Sequence, residues 1–154
     1  MLEMAISRTE PSVVRYPRGS LPDVPMKTRL YFGEWEIVEP LQKTVIVTHG
    51  TLLALARWIA KKHGIGLVNA RFLQPMDEEI LTYFRDNDIR VLVLEENTVS
   101  LGEKIALAVS PCRVRSIALP TEPITHASVA RQRERYGFTE ESVTKALTEL
   151  MEEA

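Results

Sequence analysis

Between residues 65 and 97 the hydrophobic pattern changes period twice. Residues 66–73 and 89–94 are apolar runs rich in β-branched side chains. They lack the alternation of a half-wet strand, so they predict strands covered on both faces. Between them Asp77 stands where an N-cap belongs, and Glu78 and Glu79 place negative charge in a first helical turn. Ile80, Leu81 and Phe84 then form an apolar stripe of helical period. Strand, helix and strand in about 30 residues make a βαβ unit, whose crossover is right-handed in nearly all cases. Both strands run into polar residues, Asn69 and Arg71 in the first and Glu95, Glu96 and Asn97 in the second. Parallel sheets build their sites at that edge.

The same patterns extend outward. Residues 35–38 alternate weakly and predict a short first strand; residues 43–48 (KTVIVT) predict a buried one. His49-Gly50-Thr51 is a tight turn, and Leu52, Leu53, Leu55, Ala56, Ile59 and Ala60 mark a helix closing at His63-Gly64, where Gly64 can take the left-handed cap. Ser100 and Glu103 have the spacing of a capping box for a helix to about Val109, stopped by Pro111. Residues 113–119 predict a more polar strand nearer the sheet edge, and residues 125–136 a surface helix or turn. Thr139 caps a last helix whose apolar stripe is Val143, Leu147, Leu150 and Met151. The order predicts a three-layer α/β/α fold around a mostly parallel, mixed five-stranded sheet.

Residues 1–34 follow neither period. A short apolar stretch at residues 2–6 has the pattern of the tail of a helix, too short to stand alone. Pro11, Pro17, Gly19, Pro22 and Pro25 then exclude a regular element and predict an extended arm lying on another surface. The expected division is an N-terminal arm and linker, 1–34, and a domain, 35–154.

Composition narrows the function classes. With 154 residues there is room for one domain and an arm. A formal net charge of −2 gives no global attraction to nucleic acid or an anionic membrane. No apolar run approaches the roughly 18 residues of a membrane span, and the N-terminus lacks a signal-peptide pattern. A single cysteine, Cys112, forbids an internal disulfide and makes a reducing, cytoplasmic location the expectation.

Few motifs carry chemistry. Gly50 follows a strand and precedes a helix, but HGTLLALA lacks the further glycines of a dinucleotide fingerprint. His49, His63 and His126 share no ligand spacing, so no metal site is expected. His63 suits a helix C-terminus, and His49, at a strand end, is the histidine to watch. Because neighbouring strand residues face opposite ways, one of Glu95 and Glu96 should be buried or paired, with Arg71 the expected partner in a structural ion pair. Of Arg131, Arg133 and Arg135, only the first and last share a helical face, and without an aromatic platform they predict a solvated or partner-facing surface. Arg15 and Arg18, in VVRYPRGS, present two forked donors in a rigid Tyr-Pro frame and are candidates for a phosphate or carboxylate.

VVRYPRGS, VNARFLQPMDEEIL, VLVLEENTVSLGEKIA and LPTEPITHAS together resemble, in order, the C-terminal portion of the 1-deoxy-D-xylulose-5-phosphate synthase family, whose last domain is of transketolase type. The chain departs from the family pattern after Glu96-Asn97, where only Gly102 remains of a glycine pair, and after Leu119. The resemblance implies part of a transferase that condenses pyruvate with glyceraldehyde 3-phosphate, losing carbon dioxide, in isoprenoid, thiamine and pyridoxal supply. It implies thiamine diphosphate and magnesium in the complete enzyme, held by two preceding domains, with none expected on this chain. Residues 1–18 would then end the pyrimidine-binding domain, and residues 19–34 would be the linker. The implied partners are those two domains and a second copy, as a homodimer; no nucleic acid or membrane is implied. The implied substrate-phosphate residues are Arg15 and, second, Arg18. No residue is expected to be catalytic, and Asn69, Arg71, Glu95 and Glu96 fall to architecture. The chain by itself is expected to be inactive, with an assembly or stabilising role. The alternatives are a freestanding small α/β binding module using the crevice around His49-Gly50 and Asn97, or the C-terminal domain of a transketolase or a 2-oxo acid dehydrogenase β subunit.

Overall fold

A computed structural model describes residues 1–16, 30–98 and 100–152. The elements follow in the order α1 (Leu2–Ser7), β1 (Glu36–Glu39), β2 (Thr44–Thr48), α2 (Leu53–His63), β3 (Gly66–Asn69), α3 (Glu78–Asp86), β4 (Arg90–Thr98), α4 (Leu101–Val109), β5 (Val114–Leu119), α5 (Val129–Arg135) and α6 (Glu140–Glu152). The five strands form one sheet in the order β1-β3-β2-β4-β5. Strands β3, β2, β4 and β5 are parallel, and β1 joins β3 antiparallel. This is the mixed sheet the pattern predicts, with β5 at an edge.

Alternation along the central strands sorts the core into two slabs. Ile46 of β2 and Leu92 and Leu94 of β4 pack with α2 and α6, through Ala56, Ile59, Val143, Leu147 and Leu150. Val45 and Val47 of β2 and Val91 and Val93 of β4 pack with α3 and α4, through Leu81, Phe84, Ile105 and Val109. Both faces of β2 and most of β4 are thus dry, which is why those strands read as unbroken apolar runs. Each fully buried Leu or Phe contributes about 1.5–3 kcal/mol by removal of apolar area from water.

Local signals account for most boundaries. Asp77 caps α3 by accepting from the Ile80 N–H at 3.0 Å, and its other oxygen accepts the Trp35 N–H at 2.7 Å. One carboxylate therefore starts a helix and pins the entry to β1. Helix α2 ends on Gly64 with φ of 63°, a left-handed cap that favours glycine. The Thr139 hydroxyl accepts from the Ser142 N–H at 3.3 Å at the start of α6.

Three expectations change. The strand expected over residues 66–73 stops at Asn69, because the Ala70 N–H turns to the Thr48 carbonyl and the Arg71 N–H to that of Asn69. Met151 is 47% exposed, so the stripe of α6 ends at Leu150. Ser100 does not close a capping box; the start of α4 is satisfied by a carboxylate from the sheet. The arm contributes little to the core: no residue of α1 is buried. Arg8 stacks over the Phe32 ring at 3.7 Å, within residues 1–34, and Phe32 in turn meets Phe72 of the body edge-on at 5.5 Å between ring centroids.

Candidate functional site

Strand order makes one crevice unlike the rest of the sheet. From β2 the chain crosses to β3 on one side, then returns past β2 to β4 on the other. The C-terminal ends of β2 and β4 are therefore a topological switch point, where the following loops part and ligands bind in open α/β sheets. Here Thr48 donates its hydroxyl to the Leu94 carbonyl at 2.8 Å, holding the two strand ends together.

Glu95 and Glu96, adjacent in β4, have separate tasks. Glu95 is fully buried. Its carboxylate accepts the N–H groups of Ser100 (3.3 Å), Leu101 (3.0 Å) and Gly102 (3.1 Å), and the Ser100 hydroxyl at 3.3 Å. A negative charge against the first N–H groups of α4 suits the helix dipole and replaces the expected serine cap. It also explains the surviving glycine: a Cβ at Gly102 would overlap the Ser116 hydroxyl and come within 3.4 Å of Glu95 Oε1.

Pairing between β4 and β5 slips between Glu95 and Thr98, so Glu96 and Asn97 lie in an irregular step that aims them at the crevice. Glu96 accepts from Arg133 Nε of α5 at 2.8 Å and from the Thr51 hydroxyl, and Arg133 Nη2 donates to Thr51 Oγ1 at 2.9 Å. Arg133 and Glu96 are each about one third exposed, so solvent screens the pair and its worth is about 0.5–1 kcal/mol. The triad clamps α5 over the strand ends. The arginine cluster is thus divided as helical spacing implies, but Arg133 faces the sheet rather than solvent.

Asn97 faces the other way. Its Nδ2 lies 3.5 Å from His49 Nε2, and its Oδ1 accepts from Arg15 Nη1 of the arm at 2.9 Å. Burial, the largest cause, holds the His49 pKa below its ordinary 6.5; Glu95 and Glu96 pull it up and Arg15 pushes it down. Arg15 is exposed, and its Nε and Nη2 have no hydrogen-bond partner among the described residues. The arm candidate and the strand-edge candidates therefore meet at one place.

The expected pairing of Arg71 with Glu95 or Glu96 is replaced. Arg71 follows β3, and β2 lies between β3 and β4, so the two are not on neighbouring strands. The buried Nε of Arg71 has no hydrogen-bond partner among the described residues. Asn69 donates instead to Glu36 Oε2 at 3.2 Å across the antiparallel edge. Arg18 lies outside the described residues. Burial and the nearby Asp88 raise the Cys112 thiol pKa, which makes it a poor nucleophile. Among the described residues no group of three or more His, Cys, Asp or Glu side chains is placed to hold a metal ion, and no helix is long and apolar enough to cross a membrane. Sequence reasoning missed the roles of Thr51 and Arg133; the one available signal was that Arg133 faces away from Arg131 and Arg135.

Residues 33–143 match the family model described as transketolase, C-terminal domain. The chain is 31% identical to the 1-deoxy-D-xylulose-5-phosphate synthase of Heliobacterium modesticaldum, over 97% of its own length and 25% of that protein. It is 30% identical to the synthase of Clostridium tetani, over 98% of its length and 26% of that protein. It therefore spans about a quarter of the length of these curated relatives. Among solved structures, a split-gene transketolase described as an inactive β4 tetramer superposes with a TM-score of 0.71 at 24% identity, over 86% of this chain and 46% of that one.

Proposed function

Since the chain belongs to the transketolase C-terminal domain family, we propose that it serves as the C-terminal part of a thiamine-diphosphate-dependent transferase that condenses pyruvate with glyceraldehyde 3-phosphate to 1-deoxy-D-xylulose 5-phosphate. One observation carries this: likeness to the synthases runs over 97% of the chain, through the arm as well as the residues 33–143 that the domain model matches. In this proposal residues 1–34 are the end of the preceding pyrimidine-binding domain and its linker, and 35–154 are the C-terminal domain. Arg15 supplies a guanidinium to the substrate phosphate, and Arg18 is the second candidate.

Thiamine diphosphate and magnesium, when bound, would supply the carbanion-stabilising chemistry. The residues of this chain do not fit them. Glu95 is committed to the α4 N–H groups and Glu96 to Arg133 and Thr51, so neither of these crevice carboxylates is available to a metal or an aminopyrimidine. No catalytic step is therefore assigned to this chain. Its role is assembly and placement of the arm, with the cofactor-bearing domains and a second copy as partners, in a reducing cytoplasm. The chain in isolation is inactive. Calorimetric titration of the purified chain with thiamine diphosphate and magnesium is expected to give no binding heat; saturable binding would overturn the assignment of the cofactor to other domains.

A further inference from the structure

An exposed arm side chain reaches 82 positions along the sequence to one amide of the body, that of Asn97. A primary amide has an accepting and a donating end, and both are used: Oδ1 takes the Arg15 N–H at 2.9 Å and Nδ2 points to His49 Nε2 at 3.5 Å. That polarity requires an unprotonated Nε2. A protonated ring would present N–H on both sides, draw Oδ1 toward itself and turn the amide NH2 onto the guanidinium, leaving donor against donor.

We propose that Asn97 is a positioning residue for Arg15 and that His49 sets which end of its amide faces the guanidinium. The Arg15 donors that have no partner among the described residues are then held at the sheet's C-terminal edge only while His49 is neutral. The consequence for substrate rests on the assignment of Arg15 to a phosphate. The charged groups facing His49 are Arg15 from the arm and Glu95 and Glu96 from β4, with Arg133 of α5 neutralising Glu96 from behind. Burial outweighs the two carboxylates, so the His49 pKa lies below 6.5. The contact, and the stability it adds, are present above 6.5 and are lost as pH falls through that lowered value.

The test is nitrogen-15 NMR of the arginine side chains in the whole 154-residue chain. At neutral pH the Arg15 guanidinium should show hindered rotation, unlike that of exposed Arg131. Asn97→Ala should free it, with backbone signals of the sheet unchanged. Asn97→Asp keeps an acceptor toward Arg15 whatever the state of His49, so its Arg15 signal should stay hindered as pH falls and the wild-type signal is released. Arg15 signals identical in wild type and Asn97→Ala, or a wild-type signal indifferent to the titration of His49, would overturn the proposal. With the cofactor-bearing domains supplied, Asn97→Ala should raise the KM for the phosphorylated aldehyde about fivefold, the value of one exposed hydrogen bond, with kcat and the KM for pyruvate within about twofold. Equal losses for both substrates, with Arg15 freed as expected, would remove the phosphate assignment and leave the positioning role standing.

Discussion

Leu2, Ile6, Val13 and Tyr16 of the arm are 60, 82, 92 and 81% exposed, whereas Ile46, Leu92 and Phe84 of the body are wholly buried. The two regions are held by different forces. The body is fixed by burial on both faces of a sheet, which is non-directional and sums to many kcal/mol. Among the contacts of residues 1–16 with the rest of the chain are a guanidinium on the Asn97 amide and another on the Phe32 ring, each worth about 1 kcal/mol or less when exposed. One region is built to stay; the other is placed by directional contacts that a substrate or partner domain can outbid.

The sharpest way to separate them is Phe84→Ala, which removes a side chain at the centre of the α3–α4 slab and should cost about 4 kcal/mol. Urea unfolding reads this as a lower midpoint with an unchanged slope. Glu95→Ala comes next, at about 2 kcal/mol, because it strands the buried N–H groups of Leu101 and Gly102. Hydrogen exchange should quicken first at the start of α4. Deleting residues 1–16 should be smallest, changing the midpoint by about 0.5 kcal/mol or less in energy, as for a surface change. A loss of about 2 kcal/mol on that deletion would place the arm among the elements that hold the body together and erase the distinction.

What the sequence made visible followed from periods and caps. The runs around Val45–Val47 and Val91–Leu94, the Asp77 cap and the Gly64 stop are encoded by neighbours in the chain, and each has its expected place. Arg15, a candidate from its Arg-Tyr-Pro-Arg setting and from the likeness to the synthases, meets the body at Asn97. What was hidden depends on which strand lies beside which. Arg71 lost its expected partners because β2 separates β3 from β4. Ser100 lost its capping role because Glu95, five residues earlier, projects from the strand into the same N–H groups. Arg133 reads in the sequence as one surface arginine among three, and gains its role because α5 lies over the switch point. Such pairings come from tertiary placement, which no local pattern records.

The central place of β2 also bears on the order in which the molecule assembles. Its pairing with β3 closes a span of twenty-one positions, from Val45 to Gly66, and its pairing with β4 a span of forty-six, from Thr44 to Arg90. Chain-closure entropy makes the longer span costlier by about 0.7 kcal/mol. The unit β2–α2–β3 therefore has the shorter search and emerges first during synthesis. His49 and Asn97 come within reach of each other only when β4 is paired with β2. The crevice therefore belongs to neither half of the sheet alone: it requires both the short-range and the long-range pairing of β2.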